Sequence, residues 1–164
     1  MNKFTNVTTE IDSLITDYEA QMAKLQVTLQ EKMKDIFKSF FESFPEVKTI
    51  HWTQYTPYFN DGDECVFSVN EPYFTRTPYT ELTEREHVWG EDDSGLIEPK
   101  VWNQNTGKYE DVSGLTPGLK EAMRSFAKIL QSEANEAIML AMFDNHVWVK
   151  AHVDGFDVDN YDHD

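Results

Sequence analysis

The chain contains a single cysteine, Cys65, among 164 residues. One thiol excludes an intrachain disulfide and any zinc site built from several cysteines. The sequence has no uninterrupted apolar run long enough to cross a bilayer, and residues 1–10 contain no apolar signal core. These absences predict a cytoplasmic protein that is neither secreted nor inserted in a membrane.

Recognised catalytic and metal-binding motifs are also missing. The sequence has no P-loop, no GxGxxG, no HExxH and no GxSxG elbow. Asp61, Asp63 and Glu64 surround one glycine, but the remaining ligands of a calcium loop are absent, so a polar turn explains them better. We therefore predict no catalytic residue, no metal and no cofactor, and we regard an enzyme as the minority interpretation.

Positive charge is scarce, and the net charge of the chain is −16. Residues 61–111 carry −9 and residues 144–164 carry −5, whereas residues 112–143 are neutral. Such a surface repels phosphate backbones and anionic lipid, so we expect no direct binding to nucleic acid or membrane and favour a basic partner. Solubility alone is the alternative explanation of the acidity.

The first 46 residues contain a long amphipathic pattern without glycine or an interrupting proline. We expect Thr8 or Thr9 to cap this helix and Pro45 to end it. The first two thirds resemble a heptad seam suited to self-association as a dimer, and the last third is an aromatic face suited to packing on a sheet. An amphipathic helix folded against its own domain is the alternative. The spaced apolar positions are Ile11, Ile15, Tyr18, Met22, Leu25, Leu29, Met33, Ile36, Phe40 and Phe44.

Two strands, 47–58 and 64–70, flank the turn dipeptide Asp61–Gly62. Both turn positions of such a hairpin need positive φ, for which Asp-Gly is well suited. This turn predicts the pairs Tyr58–Cys65, Thr56–Phe67, Gln54–Val69 and Trp52–Glu71. Pro57 places the first strand at a sheet edge or ends its pairing early. The buried set then comprises Ile50, Trp52, Cys65, Phe67 and Val69.

The remaining segments complete one predicted domain, residues 1–164. A hairpin is expected over 100–112 within an irregular segment, 71–115. A helix is expected next, capped by Thr116, beginning at Pro117 and ending near Asp144–Asn145, with apolar positions from Leu119 to Ala141. Strict alternation predicts a strand over 146–153, and residues 154–164 read as an acidic extension. The fold class is therefore α+β: an antiparallel sheet packed against two helices, with a long N-terminal helix over 1–46, a core over 47–153 and a tail over 154–164.

The outward positions of these strands form a candidate binding face. A surface that combines aromatic rings with hydroxyl, amide and imidazole groups suits a flat ligand or a protein hot spot. Coverage of this face by a helix, or simple exposure to water, is the alternative. The candidate binding residues are His51, Thr53, Tyr55, Ser68, Asn70, His146, Trp148, Lys150 and His152.

The run Trp52-Thr-Gln-Tyr-Thr-Pro-Tyr-Phe-Asn-Asp-Gly-Asp63, followed by Cys65, Phe67 and Val69, resembles small functionally unassigned proteins of tailed bacteriophages. The likeness is densest from about residue 37 to 74. It transfers no catalytic residue. It implies an accessory protein that acts in the cytoplasm of the infected cell by binding and inhibiting a host or defence protein.

Three functional hypotheses follow. The first is a non-enzymatic phage accessory protein that binds and inhibits or modulates a host or anti-phage defence component with a basic surface. The alternative is a protein that sequesters a nucleotide-like ligand between Trp148 and Tyr55, with Lys150 facing a phosphate. The second alternative is a metal-assisted hydrolase built on the acidic turns. Under both leading hypotheses the first helix makes the protein a homo-oligomer.

Overall fold

The computed structural model describes residues 2–83, 100–111 and 115–163 and confirms the α+β class. The chain forms two compact units, Met1–Ile36 and Phe37–Asp164. The helices are α1 (Lys3–Ser43), α2 (Leu119–Leu130) and α3 (Glu136–Phe143), with short 3₁₀ turns at Tyr79–Glu81 and Glu133–Asn135. The strands are β1 (Thr49–Tyr55), β2 (Ser68–Val69), β3 (Tyr73–Thr75), β4 (Lys100–Asn103), β5 (Lys108–Asp111), β6 (Val147–His152) and β7 (Gly155–Asn160).

Helix α1 begins earlier than the sequence pattern predicts. The side-chain oxygen of Asn2 accepts hydrogen bonds from the backbone N–H and the hydroxyl of Thr5, both at 2.9 Å, which caps the first turn. The prediction of a cap at Thr8 or Thr9 is therefore wrong, and both hydroxyls instead bond to the carbonyl of Thr5 inside the helix. The predicted end is confirmed, since α1 stops at Ser43, two residues before Pro45.

A five-stranded antiparallel sheet forms the centre of the second unit. Strand β1 lies between β6 on one side and β2 and β3, in succession, on the other, and β7 pairs with the far side of β6. The predicted turn is confirmed, because Asp61 and Gly62 both have positive φ, 41° and 90°. The N–H of Asp63 donates to the carbonyl of Asn60 at 2.7 Å and closes the turn. The predicted pairing of Gln54 with Val69 is confirmed as well.

The ladder around that turn is shorter than predicted. Pairing between β1 and β2 covers only Gln54–Val69 and Tyr55–Ser68. Beyond Tyr55 the chain leaves the sheet, since the N–H of Thr56 donates to the side chain of Asn145 at 2.9 Å. Pro57 thus follows the end of a central strand and does not mark an edge strand. Cys65 and Phe67, predicted as buried strand residues, are half-exposed and lie outside any strand.

The register shifts by one residue between β2 and β3. His51 pairs with Tyr73 and Ile50 with Phe74, so the predicted pair Trp52–Glu71 is wrong. Pro72 lies between the two short strands and has no N–H to donate, which explains why the ladder is interrupted there.

The segment after residue 115 contains two helices and not one. The chain leaves the α-helical conformation after Leu130, since Ser132 is extended, with φ −64° and ψ 130°. The side-chain amide of Asn135 donates to the carbonyl of Ile129 at 2.7 Å and satisfies a backbone group that the break leaves free. The predicted cap at Thr116 is wrong: Gly118, with φ 86°, precedes α2, and the Thr116 hydroxyl donates to Glu46 at 3.0 Å.

The prediction of an acidic extension over 154–164 is also corrected, because Gly155–Asn160 forms strand β7 on the edge of the sheet. Phe156 and Val158 pair with Ala151 and Val149 of β6, whose own predicted alternation is confirmed. An apolar residue at every second position is sufficient to build an edge strand from an acidic segment, because the charged residues between them face the other side of the sheet.

Aromatic rings fill the core between the sheet and the helices. Phe37 of α1 stacks on Trp52 of β1, with ring centroids 5.6 Å apart, and meets Phe126 of α2 edge-on at 4.8 Å. Phe143 of α3 contacts Trp52 at 5.5 Å. The predicted aromatic face at the end of α1 therefore does pack on the sheet, where large rings bury much apolar area per residue.

The second predicted hairpin is confirmed over Lys100–Asp111, where β4 pairs with β5 and Gly107 has a φ of 64°. Val112 and much of the predicted irregular segment lie outside the described residues.

Candidate functional site

Seven of the nine candidate binding residues lie on one face of the sheet, opposite the aromatic core. The strand register sets His51 beside Lys150, Thr53 beside Trp148 and Tyr55 beside Ser68. His152 follows two residues after Lys150 on the same strand and the same face. We call this surface the polar face. Alternation and turn geometry therefore grouped these residues correctly.

Four side chains of the polar face are buried. His51, Thr53, Trp148 and Lys150 are buried, with between 1% and 7% of their surface exposed. Simple exposure to water, one alternative explanation of this face, therefore does not apply to these four side chains. Trp148 donates its indole N–H to Nδ1 of His51 at 3.2 Å, and the Asn70 amide donates to the Thr53 hydroxyl at 2.8 Å. These polar atoms are satisfied inside the protein, as buried polar groups must be.

Lys150 is held by two carboxylates of β7. Its Nζ lies 2.7 Å from Asp159 and 3.0 Å from Asp157, and 4.3 Å from the centre of the Trp148 ring. Burial by itself lowers the pKa of Lys150, but the bonds to Asp159 and Asp157 outweigh it and leave the pKa above its ordinary value. The ammonium therefore has its counter-ions within the fold, and its orientation toward a ligand phosphate stays a prediction.

A cluster of histidine and tyrosine rings occupies the end of this face. Nδ1 of His146 and Nε2 of His163 are 2.7 Å apart, so one imidazole donates to the other. The Tyr55 ring stacks on His163 at 3.8 Å, and the Tyr58 ring stacks on both imidazoles, at 4.5 Å and 5.0 Å. Nδ1 of His163 is buried without a hydrogen-bond partner among the described residues. This cluster holds the end of the chain against the sheet.

Sequence reasoning missed the residues that close the polar face. Asp157 and Asp159 supply its counter-ions, Tyr79 stacks on His152 at 3.9 Å, and His163 completes the ring cluster. The alternation of Phe156, Asp157, Val158 and Asp159 was a visible signal for an edge strand. Nothing in the local pattern connected Tyr79 to His152.

A second candidate surface lies on α1, within the unit Met1–Ile36. The heptad positions Ile11, Ile15, Tyr18, Met22, Leu25 and Leu29, which we call the helix stripe, are between 37% and 63% exposed. Six large apolar side chains at alternating steps of four and three residues, a pattern that repeats every seven residues, form a continuous seam along a helix. Exposed apolar patches of this extent mark interaction sites.

The described residues contain no group of three or more His, Cys, Asp or Glu side chains arranged to hold a metal ion. Within the same part of the chain, no helix has the length and apolar character needed to cross a bilayer. In comparisons with known proteins, no family model, no curated protein and no solved structure matches this chain.

Proposed function

We propose that this protein acts by binding other proteins as a homodimer, and not by turning over a substrate. The observation that supports the proposal most strongly is the exposed helix stripe. The helix stripe itself spans roughly 27 Å at 1.5 Å per residue. Phe4 and Val7, 76% and 43% exposed, continue its spacing, so the apolar seam runs over residues 4–29, or more than three heptads, the length over which such a seam specifies a coiled coil. A second copy of the chain presents the same seam and is the simplest occupant, because isologous pairing buries both stripes at once.

The polar face favours binding over chemistry for a different reason. Its indole, imidazole and ammonium groups contact one another and the carboxylates of β7. Groups already paired in a buried network would have to break those bonds to bind a substrate. We therefore assign this face a structural role, in which it holds β6 against β7.

The partner that fits best has a basic surface. Exposed acidic side chains lie at both ends of the sheet, at Asp61, Asp63 and Glu64 in the first turn and at Asp154 in the turn between β6 and β7. A dimer doubles this charge and draws a basic protein to it by long-range attraction. In the context implied by the phage resemblance, that partner is a host or anti-phage defence protein whose basic site becomes occluded.

A binding experiment tests the partner. The tagged full chain is used to capture proteins from bacterial lysate, and each retained protein is purified and titrated against wild type at two salt concentrations. We expect the affinity to fall by about tenfold or more when salt rises from about 50 mM to about 500 mM. A partner bound equally well at both concentrations, or no retained protein, would contradict the proposal.

The titration also has a matched pair of variants. Leu25→Glu changes the helix stripe, whereas Val27→Glu places the same charge on the opposite face of α1, at 56% exposure against 50% for Leu25. Bivalent attachment to an immobilised partner requires the dimer, so Leu25→Glu should dissociate faster than wild type and Val27→Glu should not. Equal dissociation of both variants would separate partner binding from dimerisation and refute the dimeric mode.

A further inference from the structure

A cleft of about 290 Å³ lies between α2 and the segment that leads into β3. Its apolar lining consists of Pro72, Phe74, Met123 and Ala127. Phe74 and Met123 are buried core residues, so this wall is fixed by the packing beneath it. The volume is near the lower limit of natural ligand sites and fits a molecule of about two fused or linked rings.

Two cations lie at this cleft. Lys120 and Arg124 are exposed, line the cleft and lie one turn apart on α2, where residues four apart share a helix face. Neither has a carboxylate within 4.0 Å among the residues that the structure describes, although the chain as a whole carries −16. Glu71 also lines the cleft and offers an acceptor for a hydroxyl or N–H group.

We propose that this cleft binds a small organic anion. Its ring body packs on the apolar wall at the half-exposed Ala127, above the buried Phe74 and Met123, and its single acidic group, a carboxylate, sulfonate or phosphate monoester, is bound by Lys120 and Arg124. A guanidinium and an ammonium together recognise such a group through charge-assisted hydrogen bonds, and the apolar wall supplies the affinity that two exposed charges lack in water. This site is distinct from the helix stripe and from the polar face.

Fluorescence titration with anilinonaphthalene sulfonate tests the proposal in the full-length protein. This probe joins an aromatic body to one sulfonate, and N-phenyl-naphthylamine provides the same body without the charge. We expect saturable binding of one sulfonate per chain, weaker binding of the neutral probe, and a loss of about tenfold or more in affinity in Lys120→Gln/Arg124→Gln. Lys128→Gln, an exposed lysine on the same helix outside the cleft lining, is the control and should bind as wild type.

Carbon-13 methyl spectra of the methionines locate the probe without any substitution at the cleft. Addition of anilinonaphthalene sulfonate to wild type should shift the Met123 methyl and leave the Met22 methyl of the helix stripe unchanged. Equal affinity for the two probes, unchanged affinity in Lys120→Gln/Arg124→Gln, or a shift at Met22 in place of Met123 would overturn the proposal. So would binding only above about 1 mM, which corresponds to roughly −4 kcal/mol.

Discussion

Gln54 is a polar side chain at the centre of the core, with no exposed surface. Its Nε2 donates to the carbonyls of Met139 at 3.0 Å and Asp144 at 2.7 Å, and its Oε1 accepts the indole N–H of Trp52 at 3.0 Å. The amide thus satisfies two backbone groups at the end of α3 and one side chain of β1. A single residue therefore joins the central strand to the helix layer.

Replacing Gln54 with leucine should destabilise the protein. The substitution nearly keeps the volume but removes the hydrogen bonds to the Met139 and Asp144 carbonyls and leaves the Trp52 indole N–H without its buried acceptor, which we expect to cost about 2–4 kcal/mol. Urea unfolding followed by tryptophan fluorescence measures the change. Gln104→Leu alters an exposed amide in the β4–β5 turn and should remain within about 0.5 kcal/mol of wild type. A Gln54→Leu protein as stable as this control would show that the three hydrogen bonds contribute little.

Lys150 gives a second prediction at this scale, on pH dependence. Because its pKa is raised in the folded protein, its stabilising contribution is fully present below the ordinary lysine pKa, about 10.4, and is lost as pH rises through the folded value. Lys150→Met should lower the free energy of unfolding by about 1–3 kcal/mol at neutral pH, since two carboxylates lose their counter-ion. Lys128→Met, which changes an exposed lysine, is the control. The gap between wild type and Lys150→Met should close in strong alkali, and a constant gap would exclude the ion pairs as its source.

The membership of the polar face could be predicted from the sequence, but its burial could not. Alternation determines which side chains share a face, because successive residues of a strand point to opposite sides. Whether that face contacts water depends on what packs over it. Tyr79 is 73 residues from His152 in sequence, and His163 is 108 residues from Tyr55. Such long-range contacts leave no periodic signal.

At the scale of elements, local chemistry was sufficient where one turn or cap decides the structure. Asp61 and Gly62 set the register of β1 against β2, and Pro45 ended α1, as predicted. The break after Leu130 was missed because the apolar spacing continues through it to Ala141. A side-chain bond from Asn135 to the carbonyl of Ile129 stabilises that break, and helical periodicity carries no information about it.

Glu46 links two of these elements, and folding changes the pKa of its carboxyl group. Its carboxylate accepts the backbone N–H of Thr116 at 2.7 Å and the Thr116 hydroxyl at 3.0 Å, which connects the segment after α1 to the segment before α2. Burial raises the pKa of Glu46, but these hydrogen bonds and the nearby Arg76 outweigh it and lower the pKa below its ordinary value. The resulting stabilisation is present above the ordinary glutamate pKa, about 4.3, and is lost as pH falls through the folded value.

Glu46→Gln should therefore be less stable than wild type at neutral pH, with the difference shrinking toward pH 3, about one unit below the ordinary glutamate pKa. Thermal unfolding at several pH values measures this. Glu42→Gln removes an exposed carboxylate of α1 and should follow the wild-type curve throughout. A Glu46→Gln difference that persists unchanged in acid would mean that the charge of Glu46 does not hold Thr116.

The whole molecule combines a strongly acidic surface with an exposed apolar seam. Charge and seam were both visible in the sequence, since composition and heptad spacing are sums over many residues and do not depend on tertiary packing. The pairing of the acidic tail with the sheet could not be predicted from composition or spacing. Six of its residues pair with β6, so part of the charge serves the fold by holding Lys150 while the outer carboxylates remain exposed.

Light scattering coupled to gel filtration, over a range of protein concentrations, tests the dimer directly. Wild type and Val27→Glu should have twice the 19.1 kDa mass of one chain, and Leu25→Glu should have the mass of a single chain, because a buried carboxylate in the seam cannot be solvated. A wild-type protein that stays at 19.1 kDa at the highest concentration, or a Leu25→Glu protein with the same mass as wild type, would contradict assembly through the helix stripe.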